Sequence, residues 1–262
     1  VITDSEVEKR YAEPIAQKLE AAGFTVNIFT FPAGEKSKTR QTNEMIEDAM
    51  LAKEYRRDCG IIAVGGGVVT DLAGFIAGTY GRGIPFINYA TTLLAAADAS
   101  VGGKTAVDTE LATNLIGLFN QPEKVYIDIA SWKTLPERQL SSGLAETIKH
   151  ACMAEHIPDI LENDDEACSY IAEKNCEIKY HVVMKDELES GQRETLNLGH
   201  TVGRAIETVS GYRLLHGEAV SIGLIAEVKL AKKLGYCTDE DEVLMRKLLT
   251  EAKLPTESPN YI

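Results

Sequence analysis

Long apolar runs are missing from this chain. No window approaches the roughly 18 uncharged apolar residues of a membrane span. The N-terminal stretch VITDSEVEKRY is acidic where a signal peptide is basic and then apolar. A cytoplasmic protein with no membrane partner is expected. Basic residues are also scarce, 27 Lys and Arg against 40 Asp and Glu for a net charge of -13. Such a molecule repels polyanions, so no nucleic-acid partner is expected and any anionic ligand must be held by a local cluster of cations. The five cysteines, Cys59, Cys152, Cys168, Cys176 and Cys237, never stand two residues apart. That spacing excludes ribbon-type zinc and redox motifs and leaves buried thiols in a reducing compartment as the expectation. Internal repeats and low-complexity tracts are absent as well.

What is present is an ordinary core-forming composition, 44% hydrophobic and 26% charged over 262 residues, enough for two domains. From residue 1 to about 128, β-branched runs (VIT, TVNIFTF, CGIIAV, IPFINYA, KVYIDI) alternate with helical patterns such as EVEKRYAEPIAQKLEAAG and SKTRQTNEMIEDAMLAK. This is the rhythm of parallel βαβ units. Beyond it, SGLAETIKHAC, EACSYIAEKNCEIKYHVV, LGHTVGRAIETVS and HGEAVSIGLIAEVKLAKKLG carry apolar spacings of three and four, so this half is expected to be all-helical. The fold class is therefore α/β followed by all-α. The boundary falls near SWKTLPERQ, dividing the chain into 1–134 and 135–262. Opening directly on Val1-Ile2 suggests a trimmed N-terminus.

Three stretches have the residue types of a site. Gly65-Gly66-Gly67 follows a strand and precedes a helix holding Thr70 and Asp71, where α/β proteins turn backbone amides toward a phosphate. A third glycine of the dinucleotide fingerprint is absent, and a plain structural turn competes with that reading. Asp98 to Lys104 places a carboxylate and an ammonium around Gly102-Gly103, read as a loop after a buried strand, with a solvated surface loop as the rival. In the helical half, Glu146 and Lys149 share a face as an ordinary ion pair would. His200 and His216 each stand beside glycine near a helix start. With Glu146 they make a possible three-ligand zinc set, which spacing alone does not distinguish from packing histidines. Arg193 and Asn197 precede His200 by seven and three and would share its side if the segment were helical. His150, His156 and His181 read as surface or packing residues.

The stretches GGGVVTDLAGFIAGTY, RGIPF, TTLLAAADASVGGKTAV, NLIGLFNQP, SGLAETIKH, LNLGHTVG and LHGEAVSIG occur in the order and nearly the spelling of the 3-dehydroquinate synthase family. The chain resembles that family over almost its whole length. The resemblance implies a Rossmann-like N-terminal domain that holds NAD and a helical C-terminal domain that holds a divalent metal, most often zinc, with cobalt as a possible substitute. It implies Glu146, His200 and His216 as metal ligands. It also implies NAD contacts from Asp4, Glu35, Lys38, Gly66, Gly67, Val68, Asp71, Thr91 and Thr92, with Glu35 suited to ribose hydroxyls. Substrate residues carried over are Asp98, Lys104, Asn114, Lys149, Lys179, Glu189, Arg193 and Asn197, with Arg82 reaching into the neighbouring site of a homodimer. The implied substrate is an anionic sugar phosphate, 3-deoxy-D-arabino-heptulosonate 7-phosphate. The implied steps are transient oxidation at carbon 5, phosphate elimination, re-reduction, ring opening and aldol closure. Rival readings are a related cyclase of the 2-deoxy-scyllo-inosose or valiolone type, a metal-dependent polyol dehydrogenase, and a non-catalytic NAD-binding protein.

The chain departs from the family pattern in places. Ala112-Thr113 precedes Asn114 where the family has Gly-Lys, and Arg204 replaces a second histidine in GHTVGR. The run CMAEHIPDILENDDEACS looks spliced, and LPTESPNYI stops before a further family lysine. Either the molecule is a truncated variant or segments of a longer chain are left out; the second is the expectation, and an intact mass well above 28.6 kDa is the outcome that would bear it out.

Overall fold

The computed structural model describes residues 1–153 and 165–260; His156 and the middle of the spliced-looking run lie outside them. The chain divides into two units, Val1–Ser131 and Trp132–Ile262.

In the first unit, β1 (Ile2–Asp4) leads through a helical turn at Glu8–Ala12 into α1 (Glu13–Ala21), β2 (Phe29–Phe31) and α2 (Arg40–Ala52). Then come β3 (Ile61–Gly65), α3 (Gly67–Thr79), β4 (Phe86–Ala90), β5 (Lys104–Val107), β6 (Ile116–Phe119) and β7 (Lys124–Ile127). Five strands form one sheet in the order β2-β1-β3-β4-β7, all parallel, with Ile2 opposite both Phe29 and Ala63 and Gly65 opposite Ala90. This is the open, doubly wound topology in which the direction of winding reverses between β1 and β3, so their carboxyl ends frame the usual ligand crevice. The core joins Ile2, Phe31, Ile46, Met50, Ile61, Leu72, Ile76 and Phe86. The small-residue helix α3 is buried along Val69, Leu72, Ala73, Ile76 and Ala77. Its Gly74 is required because a Cβ there would sit 2.5 Å from Thr105 Cγ2.

The second unit is helical throughout its named elements: α4 (Glu137–Met153), α5 (Asp165–Lys185), a 3-10 turn (Gln192–Asn197), α6 (His200–Val209), α7 (His216–Lys233) and α8 (Asp239–Glu251). Thr238 begins α8 with a reciprocal cap, its hydroxyl accepting from the Asp241 N–H while Asp241 Oδ2 accepts from the Thr238 N–H at 2.8 Å. Glu218 Oε2 does the second half of that job at the start of α7, accepting from the Leu215 N–H at 2.8 Å. Ala145, Ile148, Val220, Leu224, Ile225, Met245 and Leu249 form the core.

Several expectations need correction. TVNIFTF contributes only three residues of strand, because the sheet partner β1 is itself only three residues long. The 98–104 segment is more ordered than a loop: Asp98 lies in a helical turn (Ala95–Ala99), and Lys104 opens β5 of an antiparallel hairpin with β6. Arg193, Asn197 and His200 do not share one helix, since Gly199 at φ 79° breaks the segment before α6. The cysteines are not core thiols either: Cys152 is exposed and the other four are half-buried.

Glycines set the helix spacing in the second unit. A Cβ on Gly223 would overlap the Gly199 carbonyl, and one on Gly217 would overlap the Ser142 carbonyl. Gly223→Ala is expected to lower stability by about 1–3 kcal/mol through overpacking, read as a drop in the denaturation midpoint with an unchanged denaturant slope.

Candidate active site

At the carboxyl ends of β1 and β3, the first unit presents bare backbone and buried polar groups. Gly66 precedes α3 in an extended conformation. A Cβ on it would stand 3.1 Å from Thr92 Cγ2, and one on Gly67 would stand 3.2 Å from Ala99 Cβ. The first-turn amides of α3, including Gly67 and Val68, have no partner within the helix, which is how a helix start receives a phosphate. Thr91 is 2% exposed. Its hydroxyl has no hydrogen-bond partner among the described residues, while its N–H donates to the Gly65 carbonyl at 3.0 Å. Thr92 Oγ1 accepts from the Ala95 N–H at 3.1 Å. Asp4, the last residue of β1, accepts from the Glu6 and Val7 amides at 2.9 and 3.1 Å; burial raises its pKa while those bonds oppose the rise.

Beside them lies a charge cluster around a buried lysine. Lys38 Nζ reaches Asp71 Oδ2 at 2.6 Å, Asn114 Oδ1 at 2.6 Å and Glu35 Oε1 at 3.6 Å. Burial alone would lower the Lys38 pKa, but Asp71, Glu35 and Asp108 outweigh it and hold the ammonium charged. The structure thus brings Glu35, Lys38 and Asp71 together and adds Asn114, which the family resemblance assigns to substrate. Arg82 is exposed, at φ 67° after α3.

In the second unit, the backbone approach at Gly199, Gly217 and Gly223 brings the starts of α6 and α7 to α4. His200 Nε2 lies 3.5 Å and His216 Nε2 3.3 Å from Glu146 Oε1. The three ligand atoms lie within 4.8 Å of one another, and the imidazole rings are 5.2 Å apart. Each ring is anchored through its other nitrogen. His200 Nδ1 meets the Leu198 carbonyl at 3.1 Å and His216 Nδ1 meets Glu207 Oε2 at 3.3 Å. These Nδ1 contacts leave each Nε2 facing Glu146 Oε1, where it would ligate an ion once deprotonated, and they are the outer support expected of ligating histidines. Burial lowers the His200 pKa to about 4, with Lys149 adding to the effect and Glu146 opposing it. At His216 burial pulls down, but hydrogen bonds to Glu146 and Glu207 outweigh it and raise the pKa to about 10. Two imidazole nitrogens and one carboxylate oxygen are a donor set that fits zinc.

One cation meets this cluster directly, and two others are buried elsewhere in the same unit. Lys149, 1% exposed, pairs with Glu146, and Lys179 is buried on α5. Arg193 is fully buried and donates to the Glu187 carbonyl. Asn197 Nδ2 donates to Glu189 Oε1 at 2.8 Å. His150, read as a surface or packing residue, is buried with its Nδ1 at 2.7 Å from Asn175 Oδ1 and has a ring nitrogen within 4.8 Å of a Glu146 oxygen, whereas His181 is exposed.

Sequence reading missed Glu207 and Asp186. Asp186 accepts from the Ser190, Gly191 and Arg193 amides at 2.8–2.9 Å and so ties down the loop that carries Glu189 and leads into Arg193. The signal was there in an aspartate four and five residues before Ser-Gly, a side chain able to fold a turn around itself.

A parallel sheet with glycines at its switch point, in one chain with a helical unit bearing a Glu-His-His cluster, defines the class of two-domain proteins that pair a nucleotide-type α/β unit with a helical unit carrying a candidate metal centre. A 3-dehydroquinate synthase N-terminal family model matches residues 28–142 and its C-terminal counterpart matches 143–261. The chain is 45% identical to the 3-dehydroquinate synthase of Desulforamulus reducens over 99% of its own length and 75% of that protein's. Two solved structures are also similar. A 2-deoxy-scyllo-inosose synthase complexed with carbaglucose-6-phosphate, NAD+ and Co2+ matches at TM-score 0.88 and 29% identity, over 95% of this chain and 72% of that one. A 2-epi-5-epi-valiolone synthase from Streptomyces hygroscopicus subsp. jinggangensis 5008 with NAD+ and Zn2+ bound matches at TM-score 0.87 and 26% identity, over 98% and 75%. The chain belongs to the 3-dehydroquinate synthase family and is an enzyme, a carbon–oxygen lyase.

Hydrogen bonds from the Arg193, Ser190 and Gly191 amides hold the Asp186 pKa down to about 2 from 3.8. A depressed carboxylate contributes order that is complete above its ordinary pKa and is lost as pH falls through the lowered one. Amide exchange at Ser190, Gly191 and Arg193 is expected to be slow above about pH 4 and to lose protection toward pH 2. In Asp186→Ala the same amides should be unprotected at neutral pH.

Proposed function

We propose that this chain converts 3-deoxy-D-arabino-heptulosonate 7-phosphate to 3-dehydroquinate and inorganic phosphate, with NAD held by the first unit and a divalent metal, most readily zinc, by the second. The observation that carries the reading is the Glu146–His200–His216 cluster, with both rings braced through Nδ1. When bound, NAD supplies a reversible hydride acceptor and the metal a Lewis acid at the hydroxyl being oxidised.

The chain's own residues bind and orient. Glu146, His200 and His216 would hold the ion. The amides of Gly66, Gly67 and Val68 suit the pyrophosphate, the unpaired Thr91 hydroxyl and Thr92 line the same crevice, and Asp4, Glu35, Lys38 and Asp71 suit the ribose side. The substrate is a dianionic phosphate that also carries a carboxylate, and this chain's net charge is -13, so recognition falls to buried cations. Lys149, Lys179 and Arg193 are such cations, Arg193 offering a planar fork for bidentate contact. Asp98, Lys104, Asn114, Glu189 and Asn197 complete the proposed substrate set. Glu189 is tied to Asn197, which orients the amide and leaves Glu189 a poor general base. Arg82 on its exposed turn is proposed to reach a partner's site in a homodimer. Among the described residues no helix is long and apolar enough to cross a membrane, which accords with a cytoplasmic enzyme. The neutral-substrate cyclase reading is weaker because a neutral substrate makes no use of the cations Lys104 and Arg193 for recognition.

Adding substrate, zinc and catalytic NAD is expected to release inorganic phosphate with no lasting NADH absorbance. His200→Ala should abolish release, and Glu207→Gln should weaken metal affinity about 10–100-fold while the fold is kept. Accumulating NADH with a simple polyol would instead mark a dehydrogenase. NAD binding without phosphate release would point to a different cyclase substrate or to a non-catalytic protein.

A further inference from the structure

The turn joining β5 to β6 contains a carboxylate that no motif singles out. Asp108 follows β5 directly. Its Oδ1 accepts from the Asn114 N–H at 2.8 Å, and its own N–H donates to the Lys38 carbonyl at 2.7 Å, beside a parallel bridge between Thr39 and Asp108. Asn114 Oδ1 accepts from Lys38 Nζ at 2.6 Å. These contacts close a ring that runs from the Asp108 side chain to Asn114, on to the Lys38 ammonium, and back through the Lys38 backbone to Asp108. The ring joins positions 76 residues apart in sequence.

The ring matters because Asn114 sits at φ 57°, a left-handed conformation open to asparagine more than to other non-glycine residues. The Asp108 carboxylate holds it there by capturing the Asn114 amide. Thr109 stiffens the same turn, its Oγ1 accepting from the Ala112 N–H at 3.1 Å and its N–H donating to the Ala112 carbonyl at 2.9 Å. If the Asn114 amide were released, its side chain would swing off Lys38. The ammonium that spaces Asp71 from Glu35 would then lose one of its two closest oxygens.

We propose that Asp108 is a positioning residue of the dinucleotide site. It fixes Asn114, through Asn114 the Lys38 ammonium, and through Lys38 the two carboxylates Glu35 and Asp71. The inference rests on the reading that these residues bind NAD. Asp108 itself need not touch the cofactor. Its charge also adds to the field that keeps Lys38 protonated, so the asparagine variant separates the two contributions by keeping an acceptor oxygen and removing the charge.

The test is calorimetric titration of the zinc-loaded protein with NAD in the absence of substrate, for the parent, Asp108→Asn and Asp108→Ala. Asp108→Ala is expected to bind NAD about tenfold more weakly, and Asp108→Asn to stay within about threefold of the parent. In turnover, Asp108→Ala should raise KM for NAD and leave kcat at saturating NAD close to the parent value. A role confined to folding would lower the melting temperature and the number of sites per chain without moving the affinity of the sites that remain. Should Asp108→Ala fail to fold, amide exchange at Asn114 in the parent decides. Slowing when NAD saturates the protein supports the ring's role, and no slowing overturns it. NAD affinity unchanged in Asp108→Ala, or Asp108→Asn as weak as Asp108→Ala, would also overturn it. A parent protein that binds no NAD removes the cofactor reading and this inference together, whereas parent binding with an unaltered Asp108→Ala removes this inference alone.

Discussion

The close approach of three helix backbones governs the helical unit. Where α6 begins, Gly199 lies against α7 at Gly223, and where α7 begins, Gly217 lies against α4 at Ser142. Side chains at those points would push the helices apart by the width of a methyl group or more. Because His200 and His216 are the first residues of their helices, the same contacts set the separation between two imidazoles and the Glu146 carboxylate. Packing and chemistry are thus one constraint here: a small shift of α6 or α7 would change a ligand distance directly.

A second constraint is electrostatic. The protein carries a large negative charge, yet its buried ionisable groups include Lys38, Lys149, Lys179 and Arg193. Burying a cation is costly unless it is paired, and Lys38 and Lys149 each meet a carboxylate while Arg193 meets a backbone carbonyl. A charge inside a low-dielectric wall acts on a bound anion far more strongly than one on a surface lysine would. Acidic residues elsewhere on the chain do not cancel that local field, since screening limits their reach to about 10 Å.

Much of this was legible from residue order. The alternation of β-branched runs with helical patterns, Gly65-Gly66-Gly67 after a strand, and the change to helix formers past residue 128 follow from local periodicity, which a sequence displays directly. The hairpin β5–β6 was not legible, because its strands are four residues each and joined by a turn without the usual two-residue glycine signature. The supposed helical run through Arg193, Asn197 and His200 failed for the opposite reason. Its spacing was suitable, but Gly199 adopts φ 79° where it packs on α7, and tertiary contact overrode periodicity.

The sequence by itself determined the two architectures, the family, and which residues are candidates for a phosphate, a metal and an anionic sugar, because these depend on residue type and short-range order. The tertiary structure alone decided which of them meet. Glu146, His200 and His216 converge from three helices, Lys38 joins Asp71 and Asn114 across long stretches of chain, and Asp108, Asp186 and Glu207 gain their roles only through partners that folding brings to them. A carboxylate's function is set by what lies within about 3 Å of its oxygens, and that neighbourhood is a property of packed backbones.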